Sequence, residues 1–144
     1  MARPSEYSLE TAAKICERLA DGESLKSICS AEDMPSKSSV YLWLTTKPEF
    51  LDMYTRARED QADTLADEII DIADDASRDT ILRPVGDDGE TIEVQNTEWI
   101  NRSRLRVDAR KWVAAKLKPK KYGDRIDHNV AVNPINVNIS LDHD

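Results

Sequence analysis

The densest set of side chains able to do chemistry lies near the C-terminus, where RLRVDARKW and LKPKKYGDR (Arg104 to Arg125) form a basic block in a chain of net charge −8. By segment the net charge is −1 over residues 1–47, −12 over 48–100, +7 over 101–128 and −2 over 129–144. A block of this kind meets either phosphate or the protein's own carboxylates. Arg104, Arg106 and Arg110 alternate with Leu105, Ala109 and Trp112, so they flank an apolar stripe, and ion pairs to Asp67, Asp71 or Asp74 are the favoured reading. Exposed pairs contribute only about 0.2–1 kcal/mol each. The pattern therefore governs helix register and choice of partner more than stability.

Other reactive residues point away from catalysis. Cys16 and Cys29 fall at apolar helical positions outside any CxxC or Cys/His cluster, as reduced core thiols do. His128 and His143 are too isolated for metal-ligand spacing. The chain has no Gly-rich phosphate loop, no G-x-S-x-G and no H-E-x-x-H, and its 4 glycines leave few of the tight turns from which nucleotide sites are built. The expectation is a protein that is not an enzyme and takes no cofactor and no metal. Glu59, Asp60, Asp63, Asp67, Asp71, Asp74 and Asp75 form a carboxylate run, which reads as a solvated or Lys/Arg-paired helix face rather than a cation site.

The elements that carry these residues follow from periodicity. At 144 residues with 40% hydrophobic and 6% aromatic content, the chain supports modest cores that association would complete. No stretch approaches a membrane span, and MARPSEYSLE lacks the apolar segment of a secretory signal, so a cytoplasmic location is expected. Leu9, Ala12, Ala13, Cys16, Leu19 and Ala20 recur at helical spacing between a capping Ser8 and Gly22. A second helix spans about Ser24 to Ser30. After the turn AEDMP, Ser36 caps a third helix with Val40, Trp43 and Leu44 inside. This is a helix-turn-helix pattern, and the small polar outer face of its third helix, with Lys37, Ser38, Ser39 and Tyr41, suits a DNA major groove. Arg3, Lys26 and Lys47 complete the predicted DNA-binding set. With a net charge of −1 on this head, a single copy should bind weakly and in a salt-sensitive manner.

A long helix is predicted from Pro48 to about Ser77, through Phe50, Tyr54, Ala57, Gln61, Leu65, Ile69, Ile72 and Ala76. Strand-like segments at Ile81 to Val85 and Thr91 to Gln95, around Asp88-Gly89, predict a β-hairpin at about 80–96. A final helix over about Thr97 to Lys118, ended by Pro119, is expected to be buried through Leu105, Ala109, Trp112, Val113 and Leu117. VAVNPINVNISL (Val130 to Leu141) alternates Ile135, Val137, Ile139 and Leu141 with polar residues, the period of a half-buried strand. One strand alone buries nothing, so it must pair with the hairpin, with its own copies or with another protein. The expected architecture is mainly α: a helix-turn-helix head (1–47), a helical hairpin carrying the β-hairpin (48–125) and a tail with one strand (126–144). Leu65, Ile69, Ile72, Leu105, Arg106, Arg110, Trp112 and Leu117 are the expected oligomer interface.

GESLKSIC (Gly22 to Cys29), MPSKSSVYLWL (Met34 to Leu44), DEIIDIADD (Asp67 to Asp75) and, most specifically, RLRVDARKW with LKPKKYGDR make the chain resemble the helix-turn-helix type of small terminase subunit of tailed bacteriophages. The resemblance covers most of residues 3–125. It implies a non-enzymatic DNA-recognition component of a genome-packaging motor, acting in the host-cell cytoplasm, that forms a homo-oligomeric ring. The implied partners are double-stranded DNA at the packaging-initiation region and a large subunit holding ATPase and nuclease. By position, 24–44 would bind DNA, helices 48–77 and 97–118 would build the ring, and the tail after Asp127 would meet the large subunit or portal. The β-hairpin has no matched role. A competing reading from the residues is a transcriptional repressor, dimerised through the hairpin, with two recognition helices about one DNA turn apart.

Overall fold

The computed structural model describes residues 3–124. The strand expected over 130–141 and both histidines lie outside the described residues. Helix α1 (Leu9–Ala20) starts where the Ser8 hydroxyl accepts the Thr11 N–H at 3.1 Å, so one of the unpaired donors of the first turn is satisfied. It stops at Asp21, beyond which Gly22 takes φ +104°, a conformation that side chains disfavour. Helix α2 (Leu25–Cys29) is capped by Ser24 and α3 (Lys37–Thr46) by Ser36. Helix α4 (Pro48–Asp74) follows without a linker, Lys47 serving as the end of one helix and the start of the next. At 1.5 Å per residue it is about 40 Å long.

The N-terminal half of α4 belongs to the core of the head. Ile15 and Leu19 of α1, Ile28 of α2 and Val40 and Trp43 of α3 pack with Phe50 and Ala57 of α4 in one buried cluster. Tyr7, Trp43, Phe50 and Tyr54 add a chain of edge-on and tilted rings with centroids 5.6 to 6.2 Å apart, the geometry favoured by the aromatic quadrupole. Two side chains of α4 then donate to the end of α1 and to the loop that follows it. Gln61 Nε2 donates to the Glu23 carbonyl at 2.8 Å and Thr64 Oγ1 donates to the Ala20 carbonyl at 2.6 Å. The second satisfies a carbonyl that the end of α1 leaves unpaired, and the first satisfies one in the α1–α2 loop. Gln61 is buried because its amide does this and also accepts from Arg58 Nη1.

Helix α4 ends three residues earlier than predicted, since the Asp75 carboxylate accepts both the N–H and the hydroxyl of Ser77 and turns the chain. Strands β1 (Thr80–Val85) and β2 (Glu90–Gln95) pair antiparallel as expected, with Gly86 and Gly89 at positive φ in the turn. Their register puts Ile81, Val85, Ile92 and Val94 on one face. Helix α5 (Thr97–Leu117) returns along α4 and a one-turn helix, α6 (Pro119–Tyr122), closes the described chain.

The inner face of α5 differs from the predicted one at three of its five residues. Leu105 and Trp112 are 58% and 65% exposed, and Ala109 is exposed as well. Val113 and Leu117 are half-buried as expected, and the seam, bordered by Trp99, Val113 and Ala115, runs through Ile100, Ser103, Val107, Arg110, Ala114 and Leu117. The seam positions step alternately by three and four, the spacing of a helix pair. Large apolar residues favour a stripe from Leu105 to Leu117, but α4 presents Ala62 and Ala66, and two helices that approach this closely accept small partners such as Ser103 and Ala114 at the seam.

Candidate nucleic-acid interface

The outer face of α3 is built by its cap and by its core. The Ser36 hydroxyl accepts the Ser39 N–H at 3.2 Å, which satisfies one donor of the first turn. Val40 and Trp43 anchor the opposite side in the buried cluster. Lys37, Ser38, Tyr41, Leu42 and Thr45 are thereby left exposed together. Lys37 Nζ stands 5.9 Å from the centroid of the Tyr41 ring. No carboxylate occurs from Met34 to Pro48, in a chain with 28 of them. The only charges within that span are Lys37 and Lys47, both positive.

The predicted DNA-binding residues divide on this geometry. Lys26, Lys37, Ser38 and Tyr41 are exposed on α2 and α3. Ser39 is half-buried, its N–H taken by the cap and its hydroxyl 3.1 Å from that of Ser36, so it lies at the edge of the face. Arg3 is exposed and also ties the N-terminal segment to α2, Nη1 donating to the Cys29 carbonyl at 3.0 Å. Lys47 is half-buried with Nζ 5.4 Å from the Tyr7 ring centroid, which gives it a packing role at the α3–α4 joint. Leu42 and Thr45 complete the face and were missed. Their signal was the spacing 37, 38, 41, 42, 45, which is one side of a 3.6-residue helix.

The predicted interface residues also separate. Leu65 and Ile72 are buried inside the protomer, and Ile69 and Leu117 are half-buried there. Arg110 Nε donates to Glu68 at 2.7 Å rather than to Asp67, Asp71 or Asp74, all three of which are exposed. The reason is angular. At about 100° per residue, Asp67 and Asp74 lie about 180–200° around α4 from the buried Leu65, away from the seam. Arg106 is exposed, and its carbonyl accepts from Arg110 Nη1 at 3.3 Å. Trp112 and Ile69 line a cleft of about 430 Å³ with Ala66, Ala115 and Tyr122.

One carboxylate of the predicted Lys/Arg-paired face anchors a polar centre that also takes in a tyrosine. Asp63 accepts from Tyr122 Oη at 2.6 Å and from Lys118 and Lys121 at 3.1 Å each. The hydrogen bond from Tyr122, followed by those from the two lysines, holds its carboxyl far below the usual carboxylate range, and the same clasp raises the Lys121 ammonium. The sequence signal was KPKKY, since a proline after the last turn of α5 permits a new short helix that folds back. Part of the basic block is thereby spent on closing the helical hairpin. Burial pushes the Cys16 thiol up to about 11 and raises Cys29 too, which disfavours the thiolate of each. Among the described residues no group of three His, Cys, Asp or Glu side chains converges as a metal site would, and no helix is long and apolar enough to cross a membrane.

A family model described as bacteriophage Sf6, terminase small subunit-like, matches residues 7–129. Crystal structures of three single-residue variants of the terminase small subunit gp1 of the bacterial virus Sf6 are similar to the chain at 35% identity, over 96% of this chain and 95% of theirs, with TM-scores of 0.67, 0.67 and 0.66. A search of the curated proteins returns no match.

Proposed function

Because the chain belongs to the bacteriophage Sf6 terminase small subunit-like family, whose role is phage DNA packaging, we propose that it is the non-catalytic DNA-recognition subunit of the packaging machinery. In this reading residues 1–47 hold duplex DNA at the packaging-initiation site, 48–125 assemble copies into a ring, and 126–144 contact the large ATPase and nuclease subunit, all in the host cytoplasm. The observation that carries it is the outer face of α3, with Lys37 on a capped helix start and no acidic residue from Met34 to Pro48.

Phosphate is favoured at that helix start by the dipole and the free N–H groups, while the exposed side chains behind it reach base edges. The head has few cations, so one copy binds weakly. Several heads on a closed ring add their contacts by multivalency. The surface for ring contacts is the side of α5 that its own α4 leaves uncovered, with Leu105, Arg106 and Trp112 exposed. A head-to-tail contact between that side and a neighbouring copy closes when its rotation divides the circle.

The test is a Lys26→Glu, Lys37→Glu double variant. Both side chains are exposed, so the fold and the assembly are expected to persist. Duplex affinity should fall strongly, and the log–log salt slope should flatten by about 0.9 for each phosphate contact removed. Unchanged affinity and slope in a still-assembled variant would rule out α3 as the DNA-binding element. Native mass spectrometry of the unmodified protein addresses the ring, a dimer being the result that opposes it.

A further inference from the structure

The outer face of α3 is unusual for a surface meant only to neutralise phosphate. It carries one charge, Lys37, and two large apolar side chains, Tyr41 at 51% and Leu42 at 59% exposure. Nothing in the fold requires them to be apolar, since Val40 and Trp43 already anchor the helix from its other side. Leu9 and Leu51 are exposed elsewhere on the head as single side chains, whereas Tyr41 and Leu42 stand side by side on the face that carries Lys37. Resting on the reading above, in which α3 enters the major groove, we infer that Tyr41 and Leu42 read thymine methyl groups and so give the head a preference for thymine-containing steps.

The chemistry of the groove supports this choice. Only the thymine C5-methyl presents an apolar contact in the major groove, and every other base edge there offers donors or acceptors. Ser38 and Thr45, on the same face, carry short hydroxyls, and that of Thr45 is already committed, Oγ1 donating to the Leu42 carbonyl at 2.7 Å. Lys37 precedes the apolar pair by one turn and leans over the Tyr41 ring. Cation and apolar tip therefore lie on one line along the helix, the first suited to backbone phosphate and the second to the groove floor. The absence of carboxylates from Met34 to Pro48 makes duplex DNA the occupant that fits. A protein partner would not require a 15-residue gap in the acidic residues of an acidic chain.

The experiment uses the full-length assembly and a duplex selected by it from a randomised pool. That duplex is then prepared twice, once with thymine and once with deoxyuridine, which differ only in the C5-methyl. Binding at fixed salt is expected to weaken by about fourfold for each contacted methyl removed, the equivalent of one buried methylene. In Tyr41→Ala and Leu42→Ala variants, whose side chains are exposed, the difference between the two duplexes should shrink or vanish. Lys37→Glu should weaken both duplexes alike. Equal binding of the two duplexes, with Lys37→Glu still weakening both, would overturn the methyl reading and leave α3 as the DNA-binding helix. Indifference of both duplexes to Lys37→Glu would overturn the DNA assignment of α3 itself. Dissociation of the assembly by Tyr41→Ala or Leu42→Ala, seen by sedimentation, would make the face a protein contact and overturn the inference.

Discussion

At the scale of single residues, Asp63 carries more than its share of the structure. One carboxylate receives Tyr122, Lys118 and Lys121 and fixes where the chain leaves the helical hairpin. Its folded pKa is depressed, so its stabilising contribution is complete above the unfolded value of about 3.9 and is lost as pH falls toward the folded one. The melting temperature of Asp63→Asn is therefore expected below that of the unmodified protein at pH 7. The gap should narrow as both are titrated below about pH 4. A gap that stays constant from pH 7 to pH 3 would show that the negative charge at residue 63 is not what holds the clasp.

Among the elements, α4 couples the two ends of the molecule. Its first turns complete the core of the head through Phe50, and its later turns carry the seam with α5. Phe50 is fully buried and touches three other rings. Phe50→Ala should cost about 3–5 kcal/mol in chemical denaturation, the range for deleting a buried aromatic side chain. A loss under 1 kcal/mol would mean that the head repacks around the missing ring. The β-hairpin is a different kind of element. Its face of Ile81, Val85, Ile92 and Val94, shared with Arg83 and Glu90, packs on no other element among the described residues, and a lone two-stranded ribbon is marginal in water.

At the scale of the whole molecule, Trp112 separates folding from assembly. Because it is 65% exposed in the protomer, Trp112→Ala should change the helical signal of a dilute, dissociated sample very little. Burial of the same ring between copies would make the substitution break up the assembly in sedimentation velocity. Retention of the full assembly by Trp112→Ala would place the ring contact elsewhere than on this side of α5. Charge reversal at Arg110 has a different expectation from reversal at Arg106, since Arg110 is bonded to Glu68 within the protomer and Arg106 is exposed.

The sequence by itself determined most of the element boundaries, because caps and breakers act locally. Ser8, Ser24 and Ser36 start the three head helices, Gly22 ends the first, and the Gly86 to Gly89 turn places the hairpin within a residue of its predicted span. It also exposed the outer face of α3 and the attraction of a basic helix for an acidic one. Tertiary structure alone decided which carboxylates answer the basic block. Asp67, Asp71 and Asp74 are more numerous along the sequence, yet Glu68 and Asp63 are the partners, since pairing depends on the angle around α4 at which α5 and α6 arrive. The inner face of α5 was likewise settled by packing. Composition favours burying Leu105 and Trp112, but the spacing between two alanine-bearing helices admits Ser103, Val107 and Ala114 and turns the larger side chains outward, a choice that exists only once two helices share a seam.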